Sequence, residues 1–322
     1  MAEPVRVVVL DDYQQVALES GPWERLAGRC EVRTLAEHVA DTDALVAALA
    51  GAPVVVAMRE RTAFDAERLG RLPDLRLLVT TGMANAAIDL DAAAANGIVV
   101  CGTSGRGSHT VELAWGLILA LMRSIPHEDA RIRAGGWQHT LGTELCDATL
   151  GLVGLGRLGS AMVPVARAFG MDVIAWSQNL DPARAADAGA EAVAKDELFA
   201  EADVVSVHYK LSERSAGIVG AAEIGAMKPT AYLVNTSRGP LVDTAALLRA
   251  LHDGAIAGAA LDVYDREPLP PDDPLRRAPR TILTPHLGYV TRENYRVFFA
   301  DVVEDIAAWL DGRVERRLTP AP

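Results

Sequence analysis

The chain has 322 residues, which at about 150 residues per domain suggests two domains. Half of the residues are hydrophobic but only 5% are aromatic, so a full core can form from Ala, Val, Leu and Ile, and a disordered chain is excluded. Its 31 basic and 43 acidic residues give a net charge of −12, which argues against nucleic acid as a partner.

The first residues run straight into an apolar segment, without the charged-then-apolar pattern of a secretory signal. Cys30, Cys101 and Cys146 are odd in number, far apart and free of metal-ligand spacing, so neither a disulfide framework nor a metal site is expected. A cytoplasmic location follows as the expectation. Strands are predicted at 5–10, 32–35, 54–57, 77–80 and 98–100. They are continuously apolar rather than alternating, as in strands covered on both faces. Helices at 43–49 and 89–96 lie between them, the second stopped by Gly97, and this βα alternation reads as an open parallel sheet.

A helical stretch follows over 108–133, broken near Pro126. Its stripe 113–122 is apolar all round, which suits a core helix or a subunit interface, and is too short to span a bilayer. A second series of six strands is predicted at 149–153, 172–176, 204–207, 231–235, 259–263 and 281–283, again doubly wound. The Pro- and Asp-rich stretch 267–279 reads as a loop, and a helix at 292–310 closes the chain.

Gly154, Gly156 and Gly159 form GxGxxG between a predicted strand and a helix. The first glycine permits the tight turn, the second lets a pyrophosphate approach the backbone, and the third lets helix pack on strand. The helix start, with Arg157 and Leu158, offers free N–H groups and a positive dipole end to the phosphates. A dinucleotide is therefore the expected cofactor. An acid at the end of the next strand would grip the ribose of NAD, but that strand ends Trp176-Ser177-Gln178-Asn179. No Arg adjoins it for a 2′-phosphate, since Arg184 lies beyond Pro182. The reading favours NAD(H), with NADP(H) as the alternative.

Three later strands end in ionisable segments: Asn235-Thr236-Ser237-Arg238-Gly239, Asp262 through Glu267-Pro268, and Thr284-Pro285-His286-Leu287-Gly288-Tyr289. Ligands bind at that edge of an open α/β sheet. An Arg there can hold a carboxylate by paired hydrogen bonds and polarise the neighbouring carbonyl. A His can exchange a proton with the alkoxide, and a carboxylate behind it fixes the tautomer.

In order and spacing these motifs resemble the D-isomer-specific 2-hydroxyacid dehydrogenase family, almost end to end. Thr81-Gly82-Met83, Ile88-Asp89-Leu90 and Val111-Glu112 extend the likeness. The resemblance implies two doubly wound parallel-sheet domains, with a Rossmann nucleotide-binding domain (102–287) inserted in a flavodoxin-like substrate domain (1–101 plus 288–322). It implies Arg238 as substrate anchor, His286 as general acid/base and Glu267 as its support. Asp262 would hold the nicotinamide carboxamide, and Ser177, His208, Thr236 and Gly288 would line the cofactor. The backbone of Met83 and Ala84 would receive the substrate carboxylate, with Arg59 and Tyr289 as further substrate contacts.

Glu267 disfavours the formate-acting relatives, which place Gln there. The sequence departs from the family pattern at Ala84, where Gly is usual, and at Lys210, where Pro is usual. The regulatory domain of long phosphoglycerate dehydrogenases is expected to be absent. The activity implied is hydride transfer between a nicotinamide cofactor and a 2-oxo or D-2-hydroxy acid, in a homodimer joined through the nucleotide-binding domain. The competing reading is a dinucleotide-sensing binding protein, as the corepressor relatives are.

Overall fold

A computed structural model describes residues 3–320, and of Ser108 the backbone alone. Met1, Ala2, Ala321 and Pro322, which the expected boundaries include, lie outside the described residues. The chain divides into two compact units, Met1–Arg106 with Val290–Pro322, and Gly107–Tyr289. The second interrupts the first in sequence.

The first unit holds β1 (Val5–Val9), β2 (Cys30–Thr34), β3 (Val54–Ala57), β4 (Leu77–Thr80) and β5 (Val99–Gly102). They form one parallel sheet in the order β2-β1-β3-β4-β5, the flavodoxin-like arrangement. The central strands β3 and β4 are buried at every position, which explains their unbroken hydrophobicity. β2 lies at the edge, half-exposed, and begins two residues before the expected strand because its apolar signal is weak there. Helices Thr42–Leu49, Ala66–Gly70 and Leu90–Ala95 are capped by Asp41, Asp65 and Asp89, each accepting a backbone N–H of the first turn. The closing helix Arg292–Leu310 buries Tyr295, Phe298, Phe299, Val302 and Ile306 within this unit.

After that helix the chain lies antiparallel along β5, with Gly102 N–H donating to Arg316 and Leu318 N–H to Val100. Arg316 reaches the buried Asp305 carboxylate at 3.1 Å. Burial pushes the Asp305 carboxyl up to about 7 although Arg316 opposes the rise. The folded state therefore holds this proton more tightly than the unfolded chain. The resulting stabilisation is full below the ordinary value of 3.8 and is lost as pH rises through about 7. Thermal melting between pH 5 and 8 should show this decline, and Asp305→Asn should flatten it.

The second unit holds β6 (Thr149–Val153), β7 (Asp172–Trp176), β8 (Glu191–Ala192), β9 (Val204–Val207), β10 (Tyr232–Asn235), β11 (Gly258–Leu261) and β12 (Thr281–Leu283). The sheet is parallel, in the order β12-β11-β10-β9-β6-β7-β8. This is the doubly wound Rossmann order, with the strand sequence reversing beside β6. Two parallel α/β sheets were expected and are found. β8 is the strand that sequence reasoning missed: two residues carry no periodicity, and only its pairing with Ile174 and Ala175 defines it.

The long helical stretch is two helices, Ser108–Met122 and Ile125–Arg133, parted at Ser124 in the left-handed region (φ 50°). Pro126 falls in the first turn of the second helix, where its missing N–H costs nothing. Val111, Ala114, Trp115, Leu117, Ile118, Leu121 and Met122 are buried in this unit's own core, so the apolar stripe is a core face. The expected loop 267–279 contains one short 3-10 turn, Pro274–Arg277. No helix among the described residues is long and apolar enough to cross a membrane.

Candidate active site

β6 delivers the chain into the glycine loop, and the helix Arg157–Ala168 leaves it with Gly156 as N-cap. Gly154 has φ 101°, and a Cβ there would meet the His208 carbonyl at 2.5 Å. A Cβ on Gly159 would collide with the Gly154 carbonyl. Nothing lies within 4 Å of the Cβ position of Gly156. The outer glycines are thus needed for close packing, whereas the middle one faces open space above a helix N-terminus, where a pyrophosphate can approach.

Two buried polar atoms near this edge of the sheet have no hydrogen-bond partner among the described residues, Thr236 Oγ1 and His208 Nδ1. Unmet polar groups beside an open glycine loop fit a bound dinucleotide. His208 Nε2 pairs with Ser206 Oγ at 2.9 Å. Burial lowers the His208 pKa to about 4, so its ring is a neutral imidazole at pH 7. Ser177 follows β7 half-buried, and the Trp176 ring stacks on Tyr209, whose hydroxyl accepts from Gln178 N–H at 3.4 Å. Lys210 takes the place of the usual proline in a turn held by the Ser215 hydroxyl, which donates to its carbonyl at 2.8 Å.

Beyond β10, Asn235 and Ser237 shape the turn that carries Arg238. Asn235 Nδ2 donates to the Arg238 carbonyl at 2.9 Å, and Ser237 Oγ donates to the Val207 carbonyl at 2.8 Å. Gly239 packs so closely on the Tyr264–Asp265 peptide that any Cβ would collide with it. Only glycine lets the Arg238 turn lie beside the turn that follows β11. There Glu267 Oε1 accepts from Tyr264 N–H at 3.0 Å, and Glu267 Oε2 lies 2.6 Å from His286 Nδ1. An ionised carboxylate only accepts, so Nδ1 carries the proton and Nε2 is the nitrogen left for a substrate.

His286 sits in the left-handed region at φ 53°, unusual for a side-chain-bearing residue. Its loop is held by Asp262, whose carboxylate accepts from Thr284 Oγ1 at 2.6 Å, Leu287 N–H at 2.7 Å and Gly288 N–H at 2.8 Å. Asp262 is fully buried, and desolvation raises its pKa. Tyr264 donates to the Thr284 carbonyl at 2.9 Å, and burial raises its pKa so that it stays a phenol. The Tyr289 ring meets His286 edge-on with centroids 5.2 Å apart.

Sequence reasoning missed the groups that hold Gly288 from the other side. Its carbonyl accepts from His109 Nδ1 at 2.5 Å and Thr110 Oγ1 at 2.8 Å. No local pattern marks a pairing 179 residues apart.

In the other unit, Arg59, Met83 and Ala84 follow β3 and β4. Arg59 has φ 52°, its guanidinium lies against Gly82, and Nη1 donates to the Thr81 carbonyl at 3.1 Å. Glu60 lies 3.6 Å from it, so Arg59 is half-buried in an ion pair rather than solvated. Met83 and Ala84 are exposed.

The family model for the D-isomer specific 2-hydroxyacid dehydrogenase NAD binding domain matches residues 115–288, within the seven-stranded unit. The chain belongs to the D-isomer-specific 2-hydroxyacid dehydrogenase family. A glyoxylate reductase of Aeropyrum pernix is 36% identical over 264 residues, 79% of each chain. A D-3-phosphoglycerate dehydrogenase of Mycobacterium tuberculosis is 38% identical over 275 residues, 84% of this chain and 52% of that one. The chain therefore spans about half the length of that relative. Among solved structures, a phosphoglycerate oxidoreductase from Vibrio cholerae matches 96% of this chain and 99% of its own, with TM-score 0.92 and 34% identity. This 2-hydroxyacid dehydrogenase is an oxidoreductase that moves a hydride between a nicotinamide cofactor and a 2-oxo or 2-hydroxy acid.

Proposed function

We propose that the enzyme interconverts a small 2-oxo acid and its D-2-hydroxy acid with His286 as general acid/base, Glu267 as its support and Arg238 as substrate anchor. The 2.6 Å His286–Glu267 pair, beside an Arg238 turn that Gly239 docks on Tyr264, carries this reading. Arg238 takes the substrate carboxylate by paired hydrogen bonds and polarises the adjacent carbonyl. In reduction His286 Nε2 gives its proton to the forming alkoxide, and in oxidation it takes the hydroxyl proton. Glu267 stabilises the charged ring and keeps Nε2 turned away from itself. Gly154, Gly156, Arg157, Leu158, Gly159, Thr236 and His208 would hold the nicotinamide cofactor, which would supply the hydride in reduction and receive it in oxidation. We assign Asp262 and Gly288 to the cofactor side through the loop that they shape, and Arg59, Met83, Ala84 and Tyr289 to the substrate.

A spectrophotometric screen of NADH and NADPH oxidation with glyoxylate, hydroxypyruvate, pyruvate and bulkier 2-oxo acids tests this reading. Turnover with a compact acid is expected. Tight NADH binding without turnover of any acid would instead identify a dinucleotide sensor.

NAD(H) is the cofactor that we favour, with NADP(H) admitted because no carboxylate at the end of β7 repels a 2′-phosphate. Ser177→Asp should lower kcat/KM with NADPH at least about tenfold and leave NADH use nearly unchanged. Equal losses with both cofactors would remove Ser177 from the discrimination.

We place the enzyme in the cytoplasm, which suits its three free cysteines, and assign it as a homodimer through the nucleotide-binding unit. The exposed Ile125, Ile132, Trp137 and Leu141 offer that unit an apolar surface.

A further inference from the structure

We propose that His109, together with Thr110, is a positioning residue for the acid/base histidine, acting through the carbonyl of Gly288. The inference rests on the assignment of His286 above and concerns what keeps that residue in place. A histidine at φ 53° is held against its own backbone preference, and such a conformation persists only where its surroundings over-determine it.

Asp262 supplies half of the restraint by accepting the N–H groups of Leu287 and Gly288. That leaves the far side of the Gly288 residue, two positions beyond His286. Its carbonyl takes two donors, His109 Nδ1 at 2.5 Å and Thr110 Oγ1 at 2.8 Å. A carbonyl only accepts, so His109 presents its Nδ1–H there.

The support behind this clamp is stiff. His109 and Thr110 open the Ser108–Met122 helix, whose next residues Val111, Ala114, Trp115 and Ile118 are buried in the core. The space is also tight: a Cβ on Gly288 would come within 3.1 Å of Asp262 Oδ2 and 3.4 Å of Thr110 Cγ2. Gly288 is thus fixed at its N–H by a strand-end carboxylate and at its C=O by a helix start. Between them these restraints set the direction in which the His286 ring leaves the loop. Loss of the imidazole donor frees the carbonyl end, and a shift of about 1 Å in a catalytic group can cost about a hundredfold in rate.

The test uses the full chain with an acid that it turns over, following NADH oxidation in a single turnover, NADH binding by fluorescence titration, and substrate KM. His109→Leu keeps bulk but removes the donor, whereas His109→Asn returns an amide N–H close to the Nδ1 position. At saturating NADH the single-turnover rate should fall about tenfold or more in His109→Leu, by a larger factor than any loss of NADH affinity, and His109→Asn should recover most of the rate. Should His109→Leu not fold, Thr110→Val against Thr110→Ser poses the same question: the valine is slow and the serine near parental. An unchanged rate in the donor-less variants, or equal losses in the donor-bearing and donor-less members of a pair, overturns the proposal. Failure of the underlying reading shows separately, as parental turnover in His286→Ala.

Discussion

His286→Ala is expected to lower kcat about a thousandfold while NADH affinity stays within about twofold, because positioned acid/base groups contribute about 10²–10⁴ in rate. The reason for so large a loss is that His208, Tyr264 and Asp262 cannot replace the proton donor. His208 is neutral, its pKa about 4, and its Nε2 is engaged by Ser206. Tyr264 keeps its proton and spends it on backbone carbonyls. Asp262 already accepts three donors and is buried. The glycine loop sits on a different strand, β6, and does not depend on the imidazole. Stopped-flow and steady-state rates with an established substrate measure the effect. Undiminished kcat would take His286 out of the mechanism.

The second large effect is expected of Arg238→Lys, with kcat/KM falling about a hundredfold or more and most of the loss appearing in KM. The charge survives, but an ammonium cannot offer the planar fork that a carboxylate accepts in parallel. The turn itself should persist. Asn235, Ser237 and the Gly239 contact with Tyr264 shape it, and the guanidinium donates to the Ser237 carbonyl. NADH affinity and thermal melting should therefore hold. A variant with parental KM would show that the substrate carboxylate is anchored elsewhere.

Much of this is legible in the amino-acid sequence. Continuous apolar runs marked the central strands because those strands are covered on both faces, and their hydrophobicity is a local property. The glycine loop is readable because its outer two positions meet steric demands, and the middle one leaves open space for a phosphate, within six consecutive residues. Arg238, Glu267 and His286 could be singled out because each follows a recognisable strand end, where open α/β sheets bind ligands. The weaker readings concerned short or edge elements, such as two-residue β8 and the start of β2, whose identity rests on pairing rather than on their own composition.

Residues with no local signal gained their meaning only from folding. The His38 Nδ1 lies 2.9 Å from the Asp11 carboxylate, which also accepts from Thr62 Oγ1 at 2.7 Å. Asp305, on the closing helix, has its pKa raised by burial although Arg316 lies beside it. The His109 ring meets a carbonyl 179 residues away. Sequence alone determined the architecture and singled out candidate groups for the site, because strand burial, helix caps and glycine sterics act over short stretches of chain. The tertiary structure decided how those groups are held and which are ionised, because burial and hydrogen-bond geometry depend on residues that meet only when the sheets assemble.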